Sequence, residues 1–272
     1  VCAPLKGRRK ERQLPNATDL IAHLARAIGF LSRLPVPDRF FRGHDGSMSR
    51  MVAAFPIAGF VIALVPALLL YVLARTGDTL VATLLALSLL TLLTGALHED
   101  GLADAADGLG GGRDKEHALL IMKDSRIGSY GVVALILSFG LRAAALAAIA
   151  RLDPALAALA LLASSALSRG AMVWHWHALG PARASGVAAS AGRPNDRAVA
   201  IALGTGVIAG LILVTPHASL RASVTALAMA GCATLVFTRI VRRKVGGHTG
   251  DTIGATQQIT EIVMLATLAL AA

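Results

Sequence analysis

The chain has 272 residues, 55% of them hydrophobic, and a formal charge of +10. Apolar runs of roughly 17 or more residues recur along most of it, the length that a bilayer's hydrocarbon core asks of a helix, which excludes a water-soluble globular domain. Two cysteines, Cys2 and Cys232, exclude the framework of a disulfide-rich secreted domain.

Residues 1–17, with "KGRRKERQ", read as a basic cytoplasmic tail, and residues 18–272 as a single transmembrane catalytic domain. From Thr18, an expected N-cap, Leu20, Ile21, Leu24, Ile28 and Leu31 share one helical face while His23, Arg26 and Arg33 share the other. This predicts an amphipathic helix stopped by "LPVP". Membrane spans are predicted at 52–74, 79–97, 130–150, 155–173, 198–215, 221–240 and 258–272, making seven, or six if the short last one is half inserted. The expected fold class is all-α: a polytopic integral membrane helix bundle of about seven transmembrane helices with an N-terminal amphipathic helix.

Placing the N-terminus inside puts most of the 26 Lys and Arg residues on the cytoplasmic side, with only Arg75, Arg151 and Arg221 opposite, as the positive-inside rule requires. The positive charge is therefore mostly topological. Nucleic acid is not an expected partner, because aromatic residues interleaved with the basic ones are missing. The same topology brings the three connections richest in Gly and Asp, starting at His98, His175 and Arg242, to one face where they can converge.

The first connection opens "HEDGLADAADGLGGG". If the preceding span continues as a helix, at about 100° per residue, Asp100, Asp104 and Asp107 share a stripe with Glu99 on its flank. Like charges this close repel, by about 1 kcal/mol per pair in water and more in a low dielectric. Such a stripe of acceptor oxygens predicts Mg²⁺, which fills its remaining positions with water and phosphate. "KDSRIGSYG" then supplies Lys123 and Arg126 as phosphate partners, Ser125 and Ser129 as neutral donors, and glycines that let backbone N–H groups approach an anion. Gly110 to Gly112 read as a hinge, or as further backbone N–H groups for an anion. "GGHTGD" adds Asp251 as a further ligand or base, with Glu261 ten residues on. His98 reads as a metal ligand or proton shuttle, or as an interfacial histidine with neither role.

Two other features weigh differently. "WHWH" at 174–177 is not expected to bind metal, since alternating positions diverge on a helix and Trp favours membrane interfaces. Arg169, in an apolar span, needs a partner or a function and is a candidate phosphate contact. Arg142 reads as snorkelling.

Taken in order, "FLSRLPVP", "FPIAGFVIA", "HEDGLADAADGLGGG", "IMKDSRIGSYG", "SRG", "PARASGVA" and "GGHTGDTIGA" make the chain resemble the cobalamin synthase family, the adenosylcobinamide-GDP ribazoletransferases of the inner membrane. The resemblance implies two substrates, adenosylcobinamide-GDP and α-ribazole or its 5′-phosphate, with Mg²⁺ as cofactor. By this likeness Asp100, Asp104 and Asp107 hold metal against the diphosphate, Glu99 ranking below them. Lys123 and Arg126 balance the separating charge, Ser125, Arg169 and Arg183 stand among the phosphate contacts, and Asp124 or Asp251 takes the hydroxyl proton or completes the metal shell. A homo-oligomer is left open. Lipid-forming CDP-alcohol phosphotransferases also space aspartates at a membrane face, but here Asp107-Gly108 is followed by "LGGGRDKE" rather than by their Ala-Arg.

Overall fold

The computed structural model describes residues 17–42, 48, 51–183 and 191–271. The basic tail before residue 17, with Cys2, lies outside the described residues, as do the side chain of Thr18 and the "ASGVAAS" stretch after Arg183.

Helix α1 (Ala17–Leu31) buries Ala27 and Leu31, while Leu20 and Ile21, on the same predicted apolar face as Leu31, are exposed. Then follow α2 (Phe55–Ala74), α3 (Thr79–Thr94), α4 (Leu97–Gly111), α5 (Lys115–Ile121), α6 (Ser129–Leu152), α7 (Pro154–Ala178), α8 (Asp196–Val214), α9 (Leu220–Val245) and α10 (Gly250–Ala271). Among the described residues there is no strand, only one isolated bridge between Pro181 and His248. Helices α2, α6, α7, α8, α9 and α10 are long and apolar enough to cross a membrane, and α3 with α4 makes a seventh if that bent pair is one span. The chain is a polytopic all-α membrane protein.

Helix α7 is the axis of the bundle, with nearly all of its apolar window buried inside the protein. Its Ala- and Ser-rich sequence lets neighbours approach closely, which is how helices associate where lipid removes the hydrophobic drive. At the α7–α8 crossing, a Cβ on Gly206 would stand 3.0 Å from Leu167 Cα. The peripheral helices instead turn Leu64, Val65, Leu68, Ile136 and Ile212 outward, where hydrocarbon solvates them.

Two expectations change. The span placed at 79–97 does not run on into the acidic stretch: α3 and α4 are bent by 89°. Gly95, in the left-handed region at φ 63°, ends α3 with its N–H on the Leu92 carbonyl, while the Ala96 N–H reaches Thr91. This pairing is the Schellman stop, which favours glycine at that position. The side chain of Arg33 fills the space beside Gly95, and the Arg33 backbone N–H bonds the Leu93 carbonyl at 2.7 Å, docking the segment after α1 on the break. The last span is full length, 22 residues, rather than the short one expected at 258–272. Its polar first half was invisible to hydropathy because Thr252, Thr256, Gln257, Gln258, Thr260 and Glu261 all face the protein interior.

Candidate active site

A cavity of about 470 Å³ lies where the three Gly- and Asp-rich connections meet. Its wall takes Phe30 and Phe55 from the segments around α1 and α2, residues 97, 98, 100 and 101 from the α3–α4 break, and Met122 and Lys123 after α5. Met172 and Trp176 of α7, then Pro181, Arg183 and residues 248–251, complete most of the rest. The 89° turn brings the start of α4 across the start of α10. There the crossing is so close that a Cβ on Gly101 would sit 2.9 Å from the Asp251 carbonyl oxygen. Asp100 and Asp251 therefore share one wall.

The start of α10 is built by its own threonines. Thr249 Oγ1 accepts from the Thr252 N–H at 3.2 Å, the Thr249 N–H donates to Thr252 Oγ1 at 2.9 Å, and Thr249 Oγ1 donates to Asp251 Oδ2 at 3.1 Å. A helix N-terminus of this kind favours anions. The Pro181–His248 bridge pins the neighbouring loop by Ala182 N–H to the His248 carbonyl (2.9 Å) and His248 N–H to the Gly180 carbonyl (2.8 Å). Arg183, which follows, donates to the Leu119 carbonyl at the end of α5 and lies in the electrostatic field of Asp251. Burial pushes the His248 imidazole down to about 4, so the ring is neutral near pH 7.

The acidic stripe divides. The Asp100 carboxylate, exposed on the cavity wall, makes no hydrogen bond or ion pair among the described residues, and neither does that of Asp104. Asp104 instead feels the like charges of Asp100, Asp251 and Asp107. Asp107 is buried and committed: its Oδ2 accepts from Gly128 N–H at 2.7 Å and its Oδ1 from Gly131 N–H at 2.9 Å. The glycines of "IGSYG" do bring backbone N–H groups to an anion, as their spacing predicts, but that anion is the chain's own carboxylate at the start of α6. Asp107→Asn is expected to cost about 1.5–3 kcal/mol, the worth of hydrogen bonds to a charged group, read as a lower unfolding midpoint in detergent. A variant as stable as the parent would show that the carboxylate does not hold α6. Gly112 is likewise packed rather than a free hinge, since a Cβ there would meet Ala118 Cα at 2.6 Å.

Asp124 and Arg126 take each other. The Arg126 guanidinium donates to Asp124 Oδ2 at 2.6 Å and the Arg126 backbone N–H to Oδ1 at 3.1 Å, which holds the Asp124 carboxyl at about 2. Neither residue lines the cavity, nor does the exposed Ser125. Lys123, by contrast, does line it, and has no ion-pair partner among the described residues.

Glu99 and Arg169, placed by sequence at the metal and the phosphate, lie in a buried network behind the cavity. Arg142 donates to Glu99 Oε1 at 3.3 Å and to Glu261 Oε1 at 3.2 Å, and Arg169 donates to Glu261 Oε2 at 3.3 Å. Gln258 Nε2 donates to Glu99 at 3.0 Å and Gln257 Nε2 to Glu261 at 2.6 Å. Two cations and two anions balance, which explains how four charges persist in the interior. Arg142 does not snorkel; only 1% of it is exposed. His98 lies between the two regions, buried and lining the cavity, with Arg142 and Arg169 in electrostatic reach.

The residues that sequence reasoning missed are aromatic or neutral. Trp176 of "WHWH" and His248 and Thr249 of "GGHTGD", to which no motif assigns a role, all line the cavity. The histidines of "WHWH" are engaged elsewhere: His175 binds Thr238 and Thr252 hydroxyls at 2.8 and 3.2 Å, and His177 meets the Pro194 carbonyl at 2.9 Å.

Among known proteins, the family described as cobalamin-5-phosphate synthase matches residues 23–269. Similar curated proteins are named adenosylcobinamide-GDP ribazoletransferase. That of Rhizobium johnstonii is 55% identical over 93% of this chain and 98% of its own length. Those of Sinorhizobium medicae and Bradyrhizobium diazoefficiens are 57% and 46% identical, each over 91% of this chain and over 96% and 93% of their own lengths. No solved structure matches the chain. With the matched region running from α1 through α10 and enclosing every residue of the cavity, the chain belongs to the cobalamin-5-phosphate synthase family.

Proposed function

We propose that the protein is an adenosylcobinamide-GDP ribazoletransferase of the cytoplasmic membrane. The 3′-hydroxyl of α-ribazole, or of its 5′-phosphate, attacks the cobinamide-side phosphorus of adenosylcobinamide-GDP. The new P–O bond forms as the bond to the GMP phosphate oxygen breaks, giving adenosylcobalamin or its 5′-phosphate and GMP. The observation that carries this reading, beside the family, is one cavity wall on which Lys123, Arg183 and the N-terminus of α10 meet Asp100 and Asp251. Cations and helix amides bind the diphosphate oxygens; Lys123 faces the negative charge that develops on the departing phosphate. Asp251, held by Thr249 on the cavity wall, takes the hydroxyl proton, a role that Asp124 cannot fill while it is paired with Arg126 away from the cavity.

No three His, Cys, Asp or Glu side chains among the described residues are gathered closely enough to hold a metal by themselves. Mg²⁺ needs only one or two carboxylates besides water and phosphate, and the unpaired oxygens of Asp100 and Asp104 fit that donor set. Bound there, Mg²⁺ supplies neutralisation of the phosphoryl oxygens. Asp107 and Glu99 have other partners and are not in the set. The lysines and arginines that border the cavity's connections support a cytoplasmic site.

The direct test is GMP release by the purified protein in lipid, supplied with adenosylcobinamide-GDP and α-ribazole 5′-phosphate. Release is expected only with both substrates and Mg²⁺ present, and to stop on chelation. A folded sample that releases no GMP would sink the assignment.

A further inference from the structure

Three residues that line the cavity each carry a buried polar atom with no hydrogen-bond partner among the described residues: Trp176 Nε1, His248 Nδ1 and His98 Nε2. Their residues are 3%, 3% and 1% exposed. Buried polar groups in folded proteins are nearly always paired, and the neighbouring His175 shows that this chain does so, with both ring nitrogens bound to hydroxyls. Three orphans around one space mark a place where a ligand supplies the partners. The Trp176 and His248 rings are in tilted contact, centroids 6.1 Å apart at 57°, and the buried Met122 and Met172 complete an apolar wall. Flat rings and polarizable sulfur suit a planar aromatic guest.

Both substrates of the proposed reaction carry such a group, guanine in one and a benzimidazole in the other. Guanine presents N–H donors that call for carboxylate or carbonyl acceptors, but the cavity's carboxylates, Asp100 and Asp251, lie with the charged groups that serve phosphate. A benzimidazole riboside has a hydrocarbon edge and one unsubstituted ring nitrogen, an acceptor. Trp176 N–H is a donor only. We infer that the buried end of the cavity seats the benzimidazole base of the acceptor nucleoside, with Trp176 Nε1–H donating to its free ring nitrogen and His248 and His98 beside it. Trp176 is then a specificity-determining residue. This inference rests on the ribazoletransferase reading.

The chain has two tryptophans, and Trp174 lines a separate apolar groove. Trp174→Phe thus leaves Trp176 as the sole indole reporter without touching the cavity. In that variant, benzimidazole α-riboside 5′-phosphate is expected to change the Trp176 emission saturably, and GMP and ribose 5-phosphate are not. Trp176→Phe, which keeps a ring and removes the donor, is expected to weaken the benzimidazole nucleotide about tenfold, the scale of one lost hydrogen bond, with ribose 5-phosphate binding unchanged. Emission that responds to GMP and not to the benzimidazole nucleotide overturns the inference, as does a Trp176→Phe protein that binds both probes like the parent. GMP release by the wild-type protein separates the two levels. If it proceeds while Trp176 stays silent, only the base seat is wrong; if it is absent, the activity itself is misassigned.

Discussion

Glu261→Leu is expected to destabilise the protein by about 3–5 kcal/mol, the cost of leaving a buried charge without its partner. Glu261 is fully buried and binds two guanidinium groups at once, Arg142 at 3.2 Å and Arg169 at 3.3 Å. Without it, two arginines, each 1% exposed, share Glu99 as their one remaining counter-charge. The loss should appear as a lower unfolding midpoint in detergent or as failure to accumulate in the membrane. Adding Arg169→Met to that variant removes the cation orphaned by the first change and leaves Arg142 paired with Glu99. The double variant should therefore recover most of the stability, a coupling that independent sites do not show. A single variant within about 1 kcal/mol of the parent would mean that the network is not held by charge balance.

Asp100→Asn is expected to lower kcat/KM by about 10²–10³-fold, the scale of losing one preorganised electrostatic contact to a reacting phosphate, while leaving stability unchanged or slightly raised. Asp100 is exposed and lines the cavity, and its carboxylate forms no hydrogen bond or ion pair among the described residues, so nothing in the fold depends on its charge. Its nearness to Asp104 adds repulsion that neutralisation would relieve. Asp124→Asn is the matched comparison: it breaks an exposed pair outside the cavity and should change turnover by less than about threefold, since exposed pairs are worth little. Turnover within a few-fold of the parent for Asp100→Asn, or equal losses for both variants, would remove Asp100 from the reaction.

The contrast between these two aspartates shows where sequence reading reaches. Asp100 and Asp124 sit in adjacent motifs and carry the same charge, yet one faces the cavity and the other faces Arg126. The stripe of Asp100, Asp104 and Asp107 was legible as a helical periodicity, and α4 is a helix. Its assignment to one metal site assumed that nothing else competed for those oxygens, whereas Asp107 is taken by backbone groups 21 and 24 residues downstream.

What the sequence by itself determined is what depends on neighbours along the chain. Hydropathy over a helix length marks the spans, and charge on alternate connections predicts which of them share a face, so the meeting of three Gly- and Asp-rich segments could be anticipated. Only the tertiary structure decided which side chains receive which partners. The break at Gly95 turns α4 toward α10, and Glu99 meets an arginine 43 residues away and a glutamine 159 away. Trp176 and His248 become cavity walls because α7 and the start of α10 end side by side. The physical reason is that burial and electrostatic pairing act through space, so a charge or an aromatic ring has no fixed role until packing has set what lies within a few ångströms of it.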